Sequence, residues 1–157
     1  VEIRDLVEIV KSKGRVRIRE GSGKILEFIA LDNWSEANDD QNGIFLIFDV
    51  FQLRSISEQF ADVSLDIIEY ATKPTIYHTI KGRFLKNGPV KDGQIKFSLI
   101  KKDFWNKLLF SYTQVLILQY VSEGEVDFET ADYFPLLSAG TKEMFLSPDG
   151  DIKIFKG

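Results

Sequence analysis

The chain has 157 residues, 44% of them apolar and 28% charged, with a formal net charge of −4. That length suits a single domain spanning residues 1–157, and the composition is that of a globular protein rather than a disordered one. The absence of Cys excludes disulfides and thiolate chemistry, a single His excludes His-pair metal sites, and the acidic balance argues against broad nucleic-acid binding. No apolar run approaches the ~20 residues that span a bilayer, and the opening segment mixes Glu, Arg, Asp and Lys with apolar residues, unlike a signal peptide. A cytoplasmic protein with no membrane partner is therefore expected.

Ile3, Leu6, Val7 and Val10 stand at i, i+3, i+4 and i+7, which predicts a helix ending at Gly14 after Lys11 and Lys13. Arg15-Val16-Arg17-Ile18-Arg19 alternates with period two and predicts a strand. Val16 and Ile18 then face the core, and the three guanidinium groups share the opposite face. Gly21-Ser22-Gly23 reads as a turn, Lys24 to Leu31 as a second strand, and the polar stretch Asn33 to Gly43 as a loop. Ile44 to Phe48 is a continuous apolar run that suits a strand buried on both faces.

Asp49 is placed to cap a helix running to about Phe60, and a second helix is expected from about Val63 to Tyr70, interrupted by Lys73-Pro74. Thr75 to Thr79 looks extended, Gly82 to Gly93 loop-like, and Gln94 to Ile100 strand-like. Asp103 is placed to cap a helix carrying Phe104, Trp105, Leu108, Leu109 and Tyr112. Gln114 to Val121 is a β-rich apolar run, and the acidic stretch Ser122 to Asp132 reads as a surface loop. Met144 to Leu146 and Ile152 to Phe155 flank a Ser-Pro-Asp-Gly-Asp turn and close the chain as a hairpin. Strands mixed with helices throughout predict an α/β or α+β fold, a twisted mixed sheet flanked by helices.

No catalytic residue set stands out. His78 has no nucleophile elbow to serve, and a lone base needs a positioned partner. Gly21-Ser22-Gly23-Lys24 lacks the second glycine and the helix that a phosphate-binding loop requires, so a hairpin turn is the better reading. The run Glu123, Glu125, Asp127, Glu129 and Asp132 would need convergence to hold a metal, and no metal site is expected. Arg15, Arg17 and Arg19 admit two readings. They form a solvated or edge-defending face, or, with Ser22 and Lys24, they bind an anion, a nucleotide or RNA phosphate.

The residues from about Asp62 to Gly124 resemble the YrdC-like family, the threonylcarbamoyl-AMP synthases. The resemblance is carried by Asp62-Val63-Ser64-Leu65-Asp66-Ile67-Ile68-Glu69, by Lys73-Pro74-Thr75, by Lys91-Asp92-Gly93-Gln94-Ile95, and by Lys102-Asp103-Phe104 through Leu108-Leu109. The tail Asp149-Gly150-Asp151-Ile152-Lys153-Ile154 is similar to the end of the family domain. The resemblance implies the family's fold. It also implies an ancestry of enzymes that join threonine, bicarbonate and ATP into threonylcarbamoyl-AMP, the precursor of a tRNA modification.

The family's site uses a Thr-Asp-Thr turn, a Lys/Arg set, an Ile-Arg strand and a Ser-Ala-Asn turn. The corresponding places here read Glu20-Gly21-Ser22-Gly23, the Lys- and Arg-free segment 33–43, Phe97-Ser98 and Gln119-Tyr120-Val121. Without those cations a triphosphate would lose several kcal/mol of charge stabilisation, on the order of a lost oxyanion-hole or phosphate-clamp donor. The expectation is a non-catalytic binding or regulatory relative needing no cofactor. Two alternatives stay open: an ATP-using enzyme with relocated residues, and an RNA-binding module.

Overall fold

The computed structural model describes residues 2–157. Helix α1 (Ile3–Lys13) forms where the apolar stripe predicts it. Gly14 ends it at φ 83°, a left-handed conformation that glycine adopts without a Cβ clash, and its N–H donates to the Val10 carbonyl at 2.8 Å. The chain continues through β1 (Arg15–Arg19), β2 (Ile25–Ala30), a 3-10 turn at Leu31–Asn33, β3 (Ile44–Ile47), a 3-10 segment at Val50–Ser55 and α2 (Asp62–Glu69). It then forms β4 (Thr75–Ile80), β5 (Gln94–Leu99), α3 (Asp103–Tyr112), β6 (Leu116–Val121), β7 (Phe128–Glu129), a 3-10 turn at Pro135–Leu137, β8 (Lys142–Leu146) and β9 (Ile152–Lys156).

These strands make one mixed sheet in the order β7-β1-β2-β6-β3-β5-β4-β8-β9. The pairs β1/β7, β3/β5 and β4/β8 are parallel, and the remaining neighbours are antiparallel. Both faces of the central strands are covered, which explains why β3 is apolar without alternation and β2 is buried along its whole length, with Glu27 its one charged residue. On one face α1 and α3 pack over Val16, Ile18, Phe28 and Leu46. Trp105 centres that layer, stacked on Phe28 with ring centroids 5.9 Å apart and edge-on to Phe134 at 5.1 Å. Its indole N–H donates to the Tyr133 carbonyl at 2.9 Å.

The opposite face buries Phe45, Ile47, Phe97 and Tyr77 beneath α2, the Val50–Ser55 segment and the loop around Leu85. Gly88 lets that loop lie on the Phe45 ring: a Cβ there would sit 2.5 Å from it, and the backbone has φ 116°.

Three expectations change. Asp49 does cap, accepting from the Phe51 N–H at 2.8 Å, but the segment is a 3-10 turn that stops at Ser55 rather than a helix reaching Phe60. Val50, Leu53 and Ile56 are three apart, a spacing that suits three residues per turn. Asp103 is the first helical residue of α3 and not its cap. Lys102 holds that position without a side-chain bond, and Asp103 contributes its charge to the helix N-terminus. The stretch 122–132 is not purely loop, because Phe128–Glu129 pairs with Ile18–Arg19 of β1.

The helix-side core predicts a large cost for emptying its centre. Trp105→Ala should destabilise the fold by about 4 kcal/mol in urea denaturation, through lost burial and an unfilled cavity. A loss below about 1 kcal/mol would mean that the surrounding rings collapse into the space.

Candidate anion-binding site

Period two puts Arg15, Arg17 and Arg19 on the face of β1 opposite Val16 and Ile18, as expected. Each guanidinium meets carboxylate or carbonyl oxygens of the same chain. Glu27, directly across the register from Arg17 and 2% exposed, accepts from Arg17 Nε at 2.8 Å and from Arg15 Nη1 at 3.2 Å. Gln119 of β6, opposite Glu27 on its other side, donates a further bond to it. Arg15 forks onto Asp39 at 3.1 and 3.3 Å and reaches the Asn33 carbonyl. Burial alone would lower the Arg15 pKa, but the bonds and charges of Asp39 and Glu27 outweigh it and raise the value. Arg19 lies 3.4 Å from Glu129 and donates to the Gly23 carbonyl.

The predicted acidic run supplies part of this. Asp127 accepts the Arg17 backbone N–H at 2.8 Å, and Glu129 faces Arg19 across the β1/β7 pair. The sequence did carry a signal for this pairing. Glu123, Glu125, Asp127 and Glu129 recur every second residue, the same period as the arginines. A shallow hollow of about 350 Å³ beside β1 is shared by Lys13, Arg15 and Arg17 with Glu27, Glu125 and Asp127.

The Gly21-Ser22-Gly23-Lys24 turn is built around Glu20, 2% exposed. Its carboxylate accepts from the Ser22 N–H at 2.8 Å, the Ser22 hydroxyl, the Lys24 N–H at 3.1 Å and the Phe134 N–H at 3.1 Å. The donors that would cradle a phosphate thus surround an internal carboxylate. Burial pushes the Glu20 pKa up, but the bonds from Ser22, Phe134 and Lys24 prevail and hold it below the ordinary range. Ser22 therefore serves the turn. Lys24 stands in register with Glu20 through the Glu20 N–H to Lys24 carbonyl bond, not with an arginine.

Polar side chains at the other places that the resemblance marks, and His78, are also bonded internally. Ser98 is fully buried and donates to the Thr75 carbonyl at 2.7 Å. Asp39 accepts the Ser35 N–H at 2.7 Å, and the Gln119 side chain accepts the Asp40 N–H at 2.9 Å. His78 shares Nε2 with Glu143 and packs against Phe155. Among the described residues no group of three or more His, Asp or Glu converges as metal ligands would, and no helix is long and apolar enough to cross a membrane.

No family model matches the chain, and no curated protein is significantly similar to it. Solved structures do match. E. coli YciO superimposes with a TM-score of 0.71 at 13% identity, covering 98% of this chain and 87% of that one. A variant of P. abyssi Sua5 gives 0.68 at 10% identity, over 92% of this chain and 50% of that one. The fold is YrdC-like. Full-length HypF in a phosphate- and nucleotide-bound form also shares it, with a TM-score of 0.66 at 13% identity, over 98% of this chain and 28% of that one. At such identities the likeness bears out the expected fold, and the chemistry has to be argued from the residues.

Two measurements test this description. Glu27→Gln should cost about 3 kcal/mol of stability in denaturant, because it leaves two guanidiniums beside a buried neutral amide. A cost below about 0.5 kcal/mol would mean that Arg15 and Arg17 gain nothing from the carboxylate. Glu20→Gln should cost about 2 kcal/mol at neutral pH. A carboxylate with a depressed folded-state pKa stabilises above its unfolded value near 4.5 and loses that contribution as pH falls through the lower folded value. The gap between wild type and Glu20→Gln should therefore close below pH 4.5, and a gap unchanged down to pH 3 (about 1.5 units lower) would contradict the depression.

Proposed function

We propose that this chain is a divergent, non-catalytic relative of the threonylcarbamoyl-AMP synthases that uses their fold as a binding or regulatory module. The observation that carries this reading is the Glu20 carboxylate at the centre of the first turn, where it takes three backbone donors and the Ser22 hydroxyl. An adenylating site must neutralise a triphosphate with cations or metal. Here the nearby arginines are matched by Glu27, Asp39 and Glu129. A phosphate would have to displace a bonded carboxylate and leave it beside the ligand with the same sign of charge. RNA contact through the same stripe faces the same interleaved carboxylates.

The second reading is an active nucleotide-binding enzyme with relocated residues. It draws support from full-length HypF, which shares this fold over 28% of its length and is in a phosphate- and nucleotide-bound form, and from the partial exposure of Arg17 and Arg19. Calorimetry separates the two. ATP with threonine at about 1 mM, a concentration that detects millimolar affinity, should give no saturable heat. A saturable signal that disappears in the Arg17→Ala/Arg19→Ala variant would establish the second reading in place of the first.

A further inference from the structure

We propose that a separate apolar cavity binds a small monocarboxylate with a compact apolar body, a single aromatic ring or a short branched chain. This site is distinct from the Glu20 turn and opens at the other end of the strands, although Phe134, whose N–H donates to Glu20, directly precedes Pro135 of its lining. Strand pairing places Arg19 beside Ile25, which on its other side meets Val121 at the C-terminal end of β6, whereas Leu99 lies beside Ile47, past the N-terminal end of β6.

The cavity measures about 210 Å³ and opens where β5 ends and β4 begins, between the C-terminal end of α2 and the Pro135–Leu137 turn. Its wall is apolar, made by Ile68, Pro74, Leu99, Leu136 and the buried ring of Tyr77, which is stacked on Phe97 at 5.1 Å. A dry apolar cavity of about 150 Å³ accepts one benzene ring. The space here therefore admits a ring or branched chain with a short link to the mouth, and it is too small for a nucleotide. Burying that much apolar surface favours entry without any polar contact inside.

Charge decides what the mouth selects. The charged residues lining the cavity are Lys73, Lys101 and Lys102, with no acidic side chain among its lining. In a chain of net charge −4 this is a local reversal of sign, and it focuses a potential that attracts anions. Lys101 donates to the Glu69 and Ala71 carbonyls at the end of α2, and the Lys102 ammonium lies 5.9 Å from the centre of the Tyr133 ring. Among the described residues none of the three forms an ion pair with a carboxylate. The contrast with β1 is direct, because there each arginine has an acidic partner. A carboxylate at the mouth with its apolar body in the cavity satisfies both features. A cation is repelled, and a second carboxylate would enter an apolar wall unpaired.

The test is an amide-shift titration of the full chain with phenylpropionate and with its neutral amide. The acid should shift the backbone signals of Ile68, Ala71, Thr75 and Leu99, with an affinity of about 0.1–1 mM, and the amide should bind about five-fold more weakly. Lys73→Ala/Lys102→Ala should bring the acid down to the amide's affinity. Ala71→Trp, which plugs the mouth, should abolish both. Absence of shifts with about 5 mM acid, or equal binding of acid and amide, overturns the proposal. So does acid binding that survives Ala71→Trp in a folded protein, because the ligand would then lie outside the cavity. If Ala71→Trp unfolds the chain, the lysine variant decides alone, since its side chains are exposed and their loss leaves the core intact.

Discussion

A carboxylate buried in the middle of a sheet must be met by donors, because leaving an uncompensated charge there costs several kcal/mol. Glu27 is that carboxylate, and the architecture around β1 follows from it. Arg15 and Arg17 approach from one neighbouring strand and Gln119 from the other. Arg15 in turn engages Asp39, and Asp39 accepts the Ser35 N–H, which pins the long loop between β2 and β3 against the sheet. Arg17 and Arg19 hold the acidic segment that becomes β7. The edge of the sheet is therefore closed by charge on one face and by Val16 and Ile18 on the other.

The two faces divide the work. Toward α1 and α3 the sheet is a conventional apolar layer with Trp105 at its centre. Toward α2 it is apolar from Ile29 of β2 through β6, β3, β5, β4 and β8, and it becomes ionic at β1 and at Glu27 of β2. Glu20 joins the edge turn to the first layer. By accepting the Phe134 N–H it fixes the residue that packs edge-on to Trp105, so the turn and the core are coupled through one side chain. A carboxylate bonded by several donors is rigid, which suits a turn that anchors a core better than one that opens for a ligand.

Much of this was legible in the sequence, and the misses have physical causes. The alternation at Arg15–Arg19 gave both the strand and its facing, because a period of two leaves little choice once one face is apolar. Gly14 marked the end of α1 because its left-handed conformation, φ 83°, suits a residue without a Cβ. The Asp49 segment misled because its cap is real while its apolar spacing of three belongs to a 3-10 turn, and four-residue spacing appears only from Ile56 to Phe60. Asp103 misled because Asp favours both the cap and the first turn, and only the backbone distinguishes them. The partnership of the arginines with the acidic run was visible as a shared period of two, but the parallel β1/β7 pairing that joins segments about 110 residues apart is a tertiary fact.

At the candidate site the polar side chains are engaged within the chain itself. The places that the family resemblance marks are not merely different in residue type. Glu20, Asp39, Ser98 and Gln119 each accept or donate hydrogen bonds within the chain. Placing a cation at position 98 would therefore remove the hydroxyl bonded to the Thr75 carbonyl and bury a charge at a fully enclosed position. Replacing Glu20 would strand three backbone donors and the Ser22 hydroxyl before any phosphate arrived to meet them. Each substitution toward the residues that the family resemblance marks thus begins with a loss of stability, and in a marginally stable domain a few such losses consume the whole margin. Internal satisfaction of the polar groups makes the absence of the family's residues a stable arrangement of the fold.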